Sequence, residues 1–266
     1  MSSATAEQMS FWDHLDALRA VLMRVLLVAG ILAIGAFMAM PWIFDHVIMA
    51  PTSPAFPTYS LFDRIAALSG QSSGTFSVDV VSLELASQIF VHFSASCWIA
   101  LIVGFPIIIY LLWGFVSPAL YPDEKRGIRR AFFFGNVMFY IGVAVGYFLV
   151  FPLAVRFLAT YQLSSAIRPI VSLDSYMDNF FTLLLMMGAV FELPLLAWLL
   201  GKMGILTRSF FGTYRRHAIV ALLIVSAIIT PTGDPFTLFL VFVPIYALWE
   251  ASARLVPPDS TTTNEN

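Results

Sequence analysis

The chain has 266 residues, 59% of them hydrophobic and 11% charged, with a formal net charge of −2. Soluble domains carry about 25% charged residues, so this composition excludes an ordinary water-soluble globule and defines a membrane protein. A charge so near zero offers no electrostatic footprint for nucleic acid, and the single cysteine, Cys97, allows neither an intramolecular disulfide nor a zinc spacing.

Residues 1–10 are polar. From Phe11 to Arg24 the apolar positions Phe11, Leu15, Leu18 and Leu22 recur at helical spacing, with Asp13, His14, Asp16, Arg19 and Arg24 largely elsewhere. This predicts an amphipathic helix at the water boundary running into a first span at about 21–42, with Trp42 in the aromatic belt. No small-residue cleavage site follows that apolar run, so it reads as a retained span, not a signal peptide. Residues 43–86 form a cap loop on one membrane face. Pro51, Pro54 and Pro57 interrupt any continuous helix there, Leu61, Phe62, Ile65 and Leu68 mark a short amphipathic helix, and 69–75 is a turn or mobile loop.

The second span is expected at about 88–117. From Gln88 to Pro122 there is no Asp, Glu, Lys or Arg, and that length of helix would measure about 52 Å, more than the ~30 Å hydrocarbon core. Pro106 predicts a kink, and Pro118 with Pro122 predict the end of the helix. A charge cluster of Asp123, Glu124, Lys125, Arg126, Arg129 and Arg130 follows. The third span, about 131–155, is expected to end near Pro152; its Gly142 and Gly146 have a spacing that permits close helix approach. Residues 156–175, with Arg156, Arg168 and Pro169, read as a short outer loop.

The fourth span, about 176–200, carries one carboxylate, Glu192. A charge near the middle of a span costs roughly 2.5–3.5 kcal/mol on insertion scales, so such a residue is expected to face a protein interior or wet cavity and to have a partner. After a cationic connection holding Lys202, Arg208, Arg215 and Arg216 come two short apolar runs, 217–230 and 235–249, flanking the turn signature TPTGDP. Two short spans in a thinned bilayer, or a re-entrant hairpin, both fit; the former is preferred. The tail from 253 to 266 is polar and expected to be disordered. With six spans, one side holds eleven Lys and Arg residues and the other three, which puts both termini in the cytoplasm.

No GxSxG, HExxH, P-loop or CxxC pattern is present, and His14, His46, His92 and His217 are scattered. Neither enzymatic chemistry nor a metal or cofactor is expected. A six-span intramembrane protease is excluded because no serine has the glycine-flanked setting it requires. Three polar features remain. Asp123 and Glu124 read on composition as locally paired with neighbouring cations; the functional alternative is capture of a cationic ligand beside Phe115 or Tyr121, since carboxylates pair bidentately with guanidinium. Glu192 precedes Pro194, which withholds a backbone donor and loosens the helix near Val190. Thr230, Thr232, Asp234 and Thr237 surround the last turn, where Asp234 reads as a turn former.

Together these stretches resemble the TatC family, the core subunit of the twin-arginine protein translocase. The resemblance is carried by HLDALR (14–19), FVSPALYPDEKR (115–126), YFLVFPLA (147–154), FELPLL (191–196) and IITPTGDP (228–235), in family order over about residues 11–252. It implies an all-α, cup-shaped bundle of six spans in the bacterial inner membrane. It also implies binding of twin-arginine signal peptides at the positions matched by Phe115 and Glu124, with Arg19 the matching arginine of the N-terminal motif. That motif's glutamate is Ala17 here, and Asp16 is its displaced neighbour, about 100° around the helix. The fourth-span glutamate, matched by Glu192, implies docking of single-span TatA-type and, where present, TatB-type subunits. Thr237 matches part of that polar site, while Leu238 stands where the family commonly has Gln. The resemblance further implies self-association in a larger complex and export driven by the proton gradient. A rival, a proton-coupled small-molecule transporter using Glu192, would show two matched inverted halves, which four long and two short spans do not form. A structural scaffold would bind no signal peptide.

Overall fold

A computed structural model describes residues 11–68, 78–116, 122–161, 163–164 and 170–256; the side chains of 11–14, 65–68, 113–116 and 122–131 lie outside that description. The expectations for 1–10, 69–75, Pro118, Arg168, Pro169 and the tail beyond Val256 fall outside it too. Among the described residues, five helical stretches are long and apolar enough to cross a membrane. The backbone contacts divide into two units, one of residues 1–40 and 92–130, the other of 41–91 and 131–266.

In the first unit, α1 (Phe11–Ile43) meets α3 (Ser87–Val116) in antiparallel sense. Phe37 stacks on His92 with ring centroids 3.9 Å apart. Leu32 fills the space at Gly104, where a Cβ would lie 2.8 Å from its Cδ1. The His92 ring donates through Nε2 to the Phe37 carbonyl at 2.9 Å. That carbonyl would ordinarily accept from residue 41, which is Pro41 and has no N–H. Pro106 sits within α3 without ending it. Pro122 opens α4 (Pro122–Val145), the first helical position being where a missing N–H costs nothing.

The second unit begins where α1 passes into a π-helical turn (Phe44–Ile48) and a 3-10 turn (Ala50–Thr52), then α2 (Pro57–Leu68), the expected amphipathic helix. β1 (Val80–Val81) pairs in parallel with β2 (Val171–Ser172). The third span departs from expectation. α4 runs through a π-helical turn (Gly146–Val150) into α5 (Phe151–Thr160), so Pro152 does not end it and Arg156 is helical. The reason is local. Pro152 leaves the Phe148 carbonyl without its backbone donor, and the Thr58 hydroxyl donates to it instead. The same device recurs at Pro51, which frees the Val47 carbonyl for the Tyr147 hydroxyl at 2.9 Å. The buried Tyr59 hydroxyl shares its proton between the carbonyls of Pro51 and Pro152, at 2.8 and 3.1 Å, and Tyr176 donates to the Ile48 carbonyl at 2.6 Å. Arg156 lies over the Tyr59 ring and pairs with Asp63 at 3.5 Å.

The fourth span is two helices, α6 (Leu173–Val190) and α7 (Leu193–Lys202). Ser172 caps α6, and Asp174 in its first turn accepts from Ser87. A short α8 (Arg208–Thr213) leads to α9 (Arg215–Ile229) and, after the TPTGDP turn, to α10 (Pro235–Leu255). In that turn Gly233 takes the left-handed conformation and Asp234 caps α10, accepting from the Thr237 N–H at 2.7 Å. Burial pushes the Asp234 carboxyl up, but donors from Thr232 and Thr237 outweigh it and hold the group below its ordinary value. α10 runs past the expected 235–249 limit to 21 residues, or about 31 Å. The ARLV stretch that reads as tail is drawn in because Ala253 and Val256 pack with Ala197 and Phe211, and Ser252 back-bonds to the Leu248 carbonyl at 2.7 Å. α9 keeps its expected short length of 15 residues.

Candidate functional site

The four residues matched to signal-peptide recognition all belong to the first unit. Asp16 and Arg19 are exposed on the early turns of α1. Phe115 is the penultimate residue of α3, and Glu124 lies in the first turn of α4. Because α1 and α3 run antiparallel, the start of α1 and the end of α3 point the same way, and α4 begins a few residues later. A carboxylate in the first turn of a helix is stabilised by the exposed N–H groups there. Lys125, Arg126, Arg129 and Arg130 follow on α4. The side chains of Phe115 and Glu124 lie outside the described residues.

Glu192 occupies the break between α6 and α7. The break is tightened by the Glu192 N–H bonding to the Ala189 carbonyl at 3.1 Å, three residues back, and Pro194, two residues on, has no N–H to offer the Val190 carbonyl one turn before it. The Glu192 side chain lies against α4 at Gly135. A Cβ on Gly135 would come within 2.8 Å of Oε2 and 2.6 Å of Leu195 Cδ2, so a larger residue there must push these side-chain ends aside. Farther along the same helix pair Gly142 and Gly146 meet Met187, Phe191 and Leu184, the close approach their spacing predicts, and Gly188 receives the Phe139 ring.

Glu192 Oε1 is buried and has no hydrogen-bond partner among the described residues. A buried carboxylate oxygen without a donor is costly, and an ionised carboxylate only accepts, whereas a protonated one also donates. The next residue along α4 from Gly135, Asn136, has a second such acceptor. Its Nδ2 donates to the Phe132 carbonyl at 2.9 Å while Oδ1 is buried and unpartnered. Sequence reading passed over both residues; the signal available was one amide inside the apolar run FFFGNVMFYIG.

Thr237 is also buried, with Oγ1 unpartnered, in the first turn of α10. It is not brought to Glu192. Ala197, five residues beyond Glu192, packs on Val256 just past the other end of α10, roughly 27 Å of helix from Thr237. Among the described residues no cluster of three or more His, Cys, Asp or Glu side chains is arranged to hold a metal.

The geometry therefore defines a helical membrane protein with several membrane-crossing helices. Comparison with known proteins names the family. The model for Sec-independent protein translocase protein (TatC) matches residues 13–244, and the chain belongs to that family. It is 32% identical over 250 residues to the TatC protein of Blattabacterium sp. subsp. Periplaneta americana, covering 92% of this chain and 94% of that one. It is 33% identical over 245 residues to TatC of Deinococcus radiodurans, covering 92% and 84%. Its fold superposes on the crystal structure of the twin-arginine translocase receptor TatC in DDM with a TM-score of 0.73, at 27% identity, covering 92% of this chain and 99% of that one. The chain is thus a non-enzymatic, multi-pass component of the Tat protein translocase.

Proposed function

We propose that this chain is the translocase subunit that receives twin-arginine signal peptides and organises single-span partners. In this reading Glu124 holds the paired arginines of a folded precursor, with Phe115 packing beside them and Asp16 and Arg19 on α1 completing the surface. Six spans, with α9 as the short fifth, place both termini in the cytoplasm and the chain in the bacterial inner membrane. TatA-type and TatB-type helices assemble at Glu192, with Thr237 a separate contact at the opposite end of α10, and the proton gradient drives passage.

The observation that supports the docking half most directly is Glu192 Oε1, a buried acceptor at membrane depth with no donor from the described chain. A polar side chain on an incoming helix would supply one once the carboxyl turns out of its seat against Gly135. The recognition half is supported by the family match across 13–244 and by the common end of α1 and α3. Glu124→Ala is expected to abolish site-specific cross-linking to a twin-arginine peptide while partners still co-purify; undiminished cross-linking would sink the recognition claim. Glu192→Ala is expected to do the reverse. Retained export with normal partner recruitment would remove its docking role.

A further inference from the structure

The connection between α7 and α9 has no part in the function proposed above. Between Glu192 and Asp234 the sequence holds Lys202, Arg208, Arg215, Arg216 and His217 but no Asp or Glu. The fold gathers these cations. Ala197 of α7, Phe211 of α8 and Val256 at the end of α10 share one buried cluster, with Leu206, Phe210, Trp249 and Ala253 around it. The ends of α7, α8 and α10 therefore meet. Lys202 and Arg254 lie in the last turns of α7 and α10, Arg208 opens α8, and Arg216 is the second residue of α9.

Among the described residues one acid, Glu250, lies on the elements that meet here, and it is already engaged. Glu250 Oε1 sits 2.7 Å from Arg215 Nε and accepts from the Tyr246 hydroxyl at 2.8 Å. Lys202, Arg208, Arg216 and Arg254 are exposed and have no carboxylate partner among the described residues; Lys202 Nζ rests 4.5 Å above the Trp198 ring. Among them a tight turn at Gly204, with φ of +74°, holds out Met203 and Ile205, 64% and 61% exposed. Exposed apolar side chains beside free cations suit neither bulk water nor hydrocarbon. They suit the boundary, where the apolar atoms enter the acyl region and the cations meet phosphates.

We propose that this face binds anionic phospholipid headgroups: Lys202, Arg208, Arg216 and Arg254 hold the phosphates while Met203 and Ile205 insert beneath them. Guanidinium groups pair bidentately with phosphate, which suits the three arginines. Bilayer lipid is the occupant because the surface sits at the ends of membrane-crossing helices and presents the apolar pair at the same level as the charges.

The test is native mass spectrometry of the full-length chain in neutral detergent, titrated with phosphatidylglycerol and, separately, phosphatidylcholine of the same acyl chains. The wild type is expected to retain phosphatidylglycerol preferentially, with the preference falling as salt rises. A triple variant, K202Q/R208Q/R216Q, is expected to lose it by about fivefold per cation removed, while K202R, which keeps the charge, keeps it. Arg64→Gln, a distant exposed cation, is expected to change nothing. Wild-type preference in the glutamine triple variant, or an equal loss with Arg64→Gln, would overturn the proposal. Binding of an acidic peptide that the triple variant abolishes, with lipid preference unchanged, would overturn it as well and mark the face as a protein contact.

Discussion

Gly135 decides where the Glu192 carboxyl rests. The contact of 2.8 Å that a Cβ would make with Oε2 is too short for carbon and oxygen, and Leu195 closes the other side at 2.6 Å. Gly135→Ala leaves Leu195 a way to give by rotation; Gly135→Val does not, and overpacking of this kind costs about 1–3 kcal/mol. Gly135→Val is therefore expected to lose partner co-purification as Glu192→Ala does, with twin-arginine cross-linking unchanged and the melting temperature in detergent lowered. Normal partner recovery in that variant would show that the seat does not matter. The sequence makes Glu192 conspicuous, because one carboxylate in an apolar span stands out by cost alone. Gly142 and Gly146 stand out by their four-residue spacing. Gly135 does not, because it lies seven residues before Gly142 and its reason is the side chain of a helix more than fifty positions away. Glu124 and Phe115 enter as candidates only through the family motif; composition alone reads Asp123 and Glu124 as locally paired.

Proline is the element-scale lesson. Pro122 opens α4 and Pro194 follows the break between α6 and α7, yet Pro152, expected near the end of the third span, lies inside it; Pro106, expected to kink α3, and Pro41 and Pro244 lie within helices. A freed carbonyl held away from water can be served by a side chain from another element. His92 serves Phe37, Tyr147 serves Val47 and Thr58 serves Phe148. Such pairings join residues 55 to 100 positions apart, which no local periodicity can reveal. Tyr147→Phe removes one donor and keeps the ring. It is expected to destabilise the fold by about 1–3 kcal/mol, the cost of a buried acceptor left unpaired, read as a lower midpoint in thermal unfolding in detergent. An unchanged midpoint would mean that another donor reaches the Val47 carbonyl.

At the scale of the whole chain, the all-helical, membrane-crossing character was legible because span length and hydropathy are local properties, whereas the end of α10 was not. Its polar-looking last turn is held by Ala197 and Phe211, partners supplied by α7 and α8. That extension bears on the question the sequence left open between two short spans and a re-entrant hairpin. At about 31 Å, α10 reaches across a ~30 Å core by itself, while α9 at about 22 Å needs local thinning or recruits the polar residues at its ends. A hairpin that turned back inside the membrane would leave the TPTGDP turn in hydrocarbon, yet Asp234 is held below its ordinary carboxylate range by its donors, which keeps it charged at neutral pH. A charged turn favours water. With Cys97 replaced by serine, Pro231→Cys in intact cells is therefore expected to react with a membrane-impermeant maleimide. Ser209→Cys, in the cationic connection between α7 and α9, is expected to react only after the membrane is opened. Labelling of Ser209→Cys in intact cells would invert the topology. Protection of both positions until lysis would restore the re-entrant hairpin, and with it a fold in which α9 and α10 enter and leave on one face.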